Sequence, residues 1–214
     1  MKYLNWKGEK ITDFSESNIN NLYDKGFVFT RIEKGIMHQT RSMRINLSEF
    51  ELTSENRRIL KKNENIKIEA VPLPYSDYHW SVGKIAKDFY ESRNANFSAN
   101  KIKEIITSEE SNFNLLLKYG DIGFAICYVN KDILHYSYPF YDIKKGDRDM
   151  GLGMMIKAIE WARSLGKKYI YLGSLQRPTD TYKLQFNGIE WFDGEKWKKD
   201  MGEIKEILRE IKLC

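Results

Sequence analysis

The chain has 214 residues, 42% of them hydrophobic and 30% charged, which is globular composition with enough length to bury a core unaided. Two cysteines exclude a disulfide framework or a cysteine-rich zinc site, and no apolar run reaches the length of a membrane span. The net charge of +5 is too mild to imply a polyanionic partner, yet eight basic residues fall between Arg31 and Lys62 against four acidic ones, so a basic surface is expected there. With no apolar leader at the start, a reducing, cytoplasmic setting is expected.

In chain order, residues 15–24 read as a short helix capped by Ser15 or Ser17 and ended by Gly26. Phe27-Val28-Phe29 begins a strand, Lys34-Gly35 turns the chain, and residues 36–47 read as one long second strand. Period two sets His38, Thr40, Ser42, Arg44 and Asn46 opposite Met37, Gln39, Arg41, Met43, Ile45 and Leu47. The second set grows apolar toward its end, so it is expected to face the core, where Arg41 would need an anion. Ser54 is expected to cap a helix through Lys62, and residues 66–71 to form a strand stopped by Pro72 and Pro74. Val82, Ile85, Ala86, Phe89 and Tyr90 share one face of a helix over 78–92, and a second helix covers 98–109. Asparagines at 94, 96, 100, 112 and 114 interrupt the apolar pattern. They divide an N-terminal part, 1–92, from a C-terminal part, 93–214, unless the whole packs as one unit.

Three strands follow at 113–119, 122–129 and 133–141, joined by turn residues and therefore expected as antiparallel neighbours. A loop over 142–149 leads to a helix from Gly151 to Gly166, with Leu152, Met155, Ile156 and Ile159 inward. The apolar strand Tyr169-Ile170-Tyr171-Leu172-Gly173 comes next, and strand–helix–strand order predicts a crossover with a parallel pair. A last helix over 201–213 turns Met201, Ile204, Ile207, Leu208 and Ile211 to one side. The sum is an α+β (α/β-type) chain with a mostly antiparallel central sheet flanked by helices.

Two stretches carry candidate chemistry. Arg148-Asp149-Met150-Gly151-Leu152-Gly153 lies between a strand and a helix start, where glycines admit a close ligand and free N–H groups favour a phosphate. Its Arg-x-x-Gly-x-Gly spacing resembles the pyrophosphate motif of the GCN5-related N-acetyltransferase superfamily, which implies a GNAT-like acyl-CoA N-acyltransferase fold. A helix cap with close helix packing is the plainer reading of the same glycines. The second stretch runs from Tyr171 to Trp197. Gly173 ends a buried strand, Pro178 and Thr179 start a helix, and the Tyr182 hydroxyl can give a proton to a leaving group. The plainer reading is that Tyr182, Phe186, Trp191 and Phe192 plug the core; it is preferred for Phe186 and Trp191, while Tyr182 and Lys183 stay open to either. No metal site is expected, because His38, His79 and His135 lack ligand spacing; Cys127 reads as core and Cys214 is terminal.

Residues 20–197 resemble the arginyl- and leucyl-tRNA–protein transferases. The likeness is carried by Gly26-Phe27 with Arg31, an arginine on the following strand within Gln39-Thr40-Arg41-Ser42-Met43-Arg44-Ile45, Phe50, Arg57-Arg58 before Asn63, Leu152-Gly153, Tyr171-Leu172-Gly173, Tyr182-Lys183, Phe186, Glu190, Gly194 and Trp197. It implies transfer of an amino acid from aminoacyl-tRNA to the N-terminal α-amine of a protein or peptide, a mark of the N-degron kind. Tyr182, Lys183 and Tyr171 are then the catalytic candidates. Arg31, Arg41, Arg44, Gln39 and Ser174 are candidates for substrate binding, and Arg57, Arg58, Lys61 and Lys62 for the tRNA backbone. No cofactor is expected beyond aminoacyl-tRNA as co-substrate, and no membrane partner. The family's Cys-x-x-Cys is absent, its place held by Gly35-Ile36-Met37-His38-Gln39-Thr40, and Gly173-Ser174 and Asp180-Thr181 also depart from its pattern. The rival reading is an acyl-CoA-dependent N-acetyltransferase holding acetyl-CoA on Arg148, Gly151 and Gly153; a non-catalytic RNA- or peptide-binding relative is the third.

Overall fold

A computed structural model describes residues 3–211 of the chain. Its first half runs β1 (Lys7–Lys10), α1 (Glu16–Asp24), β2 (Phe27–Phe29), β3 (Ile36–Gln39), β4 (Ser42–Asn46), α2 (Ser54–Lys62), β5 (Ile68–Pro72), α3 (Trp80–Glu91) and α4 (Ala99–Thr107). The second half runs β6 (Leu115–Tyr119), β7 (Gly123–Val129), β8 (Ile133–Tyr141), α5 (Met150–Ser164), β9 (Tyr169–Ser174), a 3₁₀ stretch over Pro178–Gln185, β10 (Ile189–Phe192), β11 (Trp197–Lys198) and α6 (Met201–Glu210). Cys214 and the expected last turn of the C-terminal helix lie outside the described residues.

The chain folds into two compact units that alternate along the sequence: 1–53 with 130–135 and 162–214, and 54–129 with 136–161. The point 92/93, where the sequence suggests a seam, falls inside the second unit.

In the first unit β1, β3 and β2 form a small antiparallel sheet. A second sheet has the order β11, β10, β4, β9, and the first residues of β8 pair parallel with β9, the expected crossover. Ser15 caps α1 by accepting from Asn18 N–H. The single strand expected over 36–47 is two strands in two different sheets. At the junction Thr40, after β3, and Ser42, which opens β4, carry buried hydroxyls, Thr40 donating to Leu4 O at 2.7 Å and Ser42 to Gly26 O at 2.7 Å. These bonds satisfy polar groups at the break, where the chain leaves one sheet for the other.

In the second unit β6 pairs antiparallel with both β5 and β7, and the rest of β8 neighbours β7. Leu116, Leu117, Ala125, Ile126 and Cys127 are fully buried, so Cys127 is core, and burial pushes its thiol above its usual range. α5 buries Met154, Met155, Ile156 and Ile159, and Met154 lies where a side chain on Gly123 of β7 would go. Leu152, expected inward, is only half-buried. Ser54 is the first residue of α2 rather than a cap before it. Among the described residues no helix is long and apolar enough to cross a membrane.

Candidate active site

The first unit gathers most of the singled-out residues around the end of β9. Arg44 pairs with Tyr171 and Ser42 with Ser174, so β9 carries one residue more than β4 over this span and bulges. Gly173 sits in the bulge with φ +76°, a conformation that favours glycine, and the space where its side chain would be is open. Backbone can therefore be approached closely here.

The segment after Gly173 is fixed by polar contacts that the sequence did not point to. Gln176 accepts from Leu4 N–H at 2.8 Å and donates to Thr40 Oγ1 at 2.6 Å and Ser174 Oγ at 3.1 Å. Asp180 accepts from the N–H groups of Gln176 and Arg177 at 2.8 and 2.9 Å. Lys183 donates to Ser174 O at 3.1 Å, with Asp180 3.9 Å away, and its side chain is 12% exposed. Arg41 donates to Leu175 O at 3.2 Å. Ser174, Lys183 and Arg41, far apart in sequence, thus meet on one short stretch of backbone. Tyr182 stands beside them, about half exposed, and Lys183 Nζ lies 5.9 Å from its ring centre.

Beneath this, Tyr23 and His135 share a buried hydrogen bond, Tyr23 Oη to His135 Nδ1 at 2.9 Å. Burial first, and the Lys183 charge second, hold His135 down to about 3, so its ring is neutral at physiological pH. The Tyr23 ring packs edge-on against Tyr171, centroids 4.7 Å apart.

Arg44 differs from its expected role. It is the buried arginine of β4, and its charge is met from within: Nε donates to Glu190 at 2.7 Å and Nη1 to Asp24 at 2.8 Å and Tyr171 Oη at 3.2 Å. Its guanidinium lies between the Tyr169 and Trp197 rings, 3.9 and 4.0 Å from their centroids. Burial opposes the charge, and Tyr171 and Glu190 more than offset it. Tyr171 is itself buried with its hydroxyl pushed up by burial, and it supports Arg44 from inside the sheet. Gln39 donates to Lys25 O at 2.8 Å and so ties backbone. Arg31 lies in the loop between β2 and β3.

The second unit holds the other group. Asp149, just before α5, meets Lys62 at 2.7 Å and Arg58 at 3.4 Å, and Arg58 also meets Glu55 at 2.6 Å. The hydrogen bond from Lys62 lowers the Asp149 carboxyl pKa. Asp149, inside the Arg-x-x-Gly-x-Gly run, is thus engaged by the cations of α2. Gly151 and Gly153 lie within the first turn of α5. A side chain on Gly153 would meet Asn63 at 2.7 Å, while one on Gly151 would touch Tyr141 at 3.4 Å. Arg148 is exposed, and Arg57 and Lys61 lie on α2.

Residues 74–193 match the family described as Arginine-tRNA-protein transferase, C terminus. Among curated proteins the chain is similar to aspartate/glutamate leucyltransferase of Alkalilimnicola ehrlichii, 27% identical over 75% of this chain and 70% of that one. It is also similar to the protein of that name in Cereibacter sphaeroides, 27% identical over 79% of this chain and 65% of that one. The chain thus spans about two thirds of the length of these relatives. Among solved structures it is similar to L-PGS from Bacillus licheniformis, at 13% identity and TM-score 0.49 over 92% of this chain and 70% of that one.

Proposed function

Since the chain belongs to the family described as Arginine-tRNA-protein transferase, C terminus, we propose that it moves an amino acid from aminoacyl-tRNA to the N-terminal α-amine of a protein or peptide. The match over residues 74–193 carries this reading, because it spans β9, Ser174, Lys183 and Glu190 together. The curated relatives, by their names, use leucyl as the group and aspartate or glutamate as the acceptor, and we extend that acceptor class to this chain.

The chemistry needs little from the protein beyond placement. The neutral amine attacks the ester carbonyl, a C–N bond forms and the C–O bond to ribose breaks; the proton the nitrogen gives up passes to water, the ribose oxygen takes one from an acid, and that acid is reprotonated from water. The ester is already activated, so holding the two partners together supplies much of the rate. Lys183 is shielded and uses one N–H on Ser174 O, which leaves donors for the developing oxyanion. Tyr182, exposed beside it, is placed in the reading as the acid that protonates the leaving ribose oxygen. Arg57, Arg58, Lys61 and Lys62 are the proposed backbone contacts to tRNA, a partner met in the cytoplasm. No cofactor is required.

The test supplies labelled leucyl- and arginyl-tRNA, with acetyl-CoA as a separate donor, to a peptide bearing an N-terminal aspartate. Label is expected on the peptide only from aminoacyl-tRNA. It should fall about 100-fold in Tyr182→Phe and further in Lys183→Met. Acetyl transfer without aminoacyl transfer would overturn the reading.

A further inference from the structure

Beside the Gly173–Gln176 segment the first unit holds a cavity of about 320 Å3, lined by Arg41, Trp191, Asp193, Glu195, Lys198 and Glu203 among others. That volume is at the small end for ligand sites and suits one residue rather than a nucleotide-sized cofactor. Lys198 is balanced in place by Glu203 at 2.8 Å and Asp193 at 3.2 Å. Arg41 is not balanced: among the described residues no carboxylate pairs with it, and its side chain bonds only Leu175 O. Burial without an acid lowers its pKa from the usual arginine range. Glu195 likewise has no cationic partner among the described residues, and it is exposed at the rim. The lining thus carries two cations against three carboxylates: Asp193 and Glu203 share Lys198, Arg41 has no carboxylate, and Glu195 adds to the acidic side. Its complement carries both an anion and a cation on one small frame.

We propose that this cavity receives the N-terminal residue of the acceptor, Arg41 taking a side-chain carboxylate and Glu195 the α-ammonium as the peptide docks. The inference rests on the aminoacyl-transfer reading for its ligand class, and Arg41 joins the two sites through Leu175, next to Ser174. Aspartate and glutamate at an N-terminus have both charges; glutamine or an acetylated terminus lacks one of them.

The experiment is calorimetric titration of the full chain, without tRNA, using C-terminally amidated Glu-Ala-Ala, Gln-Ala-Ala and N-acetyl-Glu-Ala-Ala, and free glutamate. The first peptide is expected to bind about tenfold tighter than either of the others, the scale of one charge-assisted hydrogen bond. Arg41→Met should erase the Glu-over-Gln preference and keep the free-amine preference. Glu195→Gln, an exposed site safe for folding, should do the reverse. Equal binding of the three peptides, or binding of free glutamate with none of the peptides, overturns the proposal. Because no tRNA is present, failure of amino-acid transfer would leave this titration unaffected, and the two ideas fail separately.

Discussion

His135 shows how much one buried side chain can couple to acidity. In the folded chain its ring is neutral down to about pH 3, whereas an exposed histidine protonates near 6.5. Between those values the unfolded chain holds the proton and the folded chain does not, so stability present above about pH 6.5 is lost as pH falls toward 3. His135→Gln removes this contribution and leaves the carboxylates unchanged. The drop in unfolding free energy from pH 7.5 to pH 5 should then shrink by on the order of 2 kcal/mol, measured by urea denaturation at both pH values. An identical drop in the two proteins would mean the ring is solvated. The sequence shows His135 only as a polar residue inside an apolar strand. Tyr23, which completes the pair, lies 112 residues away. Arg44 illustrates the same limit, since its acids Asp24 and Glu190 are 20 and 146 residues distant. Alternation places a residue on a face, but it does not reveal which long-range partners answer its charge.

At the scale of elements, the strands between 115 and 141 were legible because short turns force neighbours, and the crossover to β9 followed from strand–helix–strand order. The break between β3 and β4 was not, because alternation runs unbroken through residues 40 and 41 while the chain leaves one sheet for another. That break reverses the expected burial of the two arginines: Arg44 is enclosed and Arg41 is left half-exposed beside a cavity. The glycines of α5 were legible as a motif and ambiguous in purpose. Asn63 is buried and bonded to Ile59 O at 2.9 Å, so it cannot easily yield to a new side chain on Gly153. Gly153→Ala should therefore cost about 1–3 kcal/mol through overpacking. Gly151→Ala meets only an ordinary contact and gains up to about 1 kcal/mol of helix propensity. Thermal unfolding of the two variants separates them. Equal tolerance would show that Gly153 is not fixed by packing and would return it to the phosphate-binding reading.

At the scale of the whole molecule, charge is distributed so that the basic run read from the sequence is partly spent inside the second unit. Asp149 is the shared acid of Lys62 and Arg58, and Glu55 adds a second hold on Arg58. Pairs this exposed contribute little to stability, so their value lies in where they fix the cations. If those cations also meet tRNA phosphates, Asp149 competes with the RNA for them. Asp149→Asn then leaves Lys62 and one side of Arg58 to the backbone. Affinity for tRNA should rise several-fold, and the fall of log K with log salt should steepen, by up to about 0.9 for each added phosphate contact on duplex-like RNA. The measurement is filter binding of tRNA across a salt series, with circular dichroism to show that α5 is intact. An unchanged slope with a folded variant would confine Arg58 and Lys62 to bridging α2 and α5. The RNA contacts would then have to be sought elsewhere, with Arg57 and Lys61 on α2 the next to change.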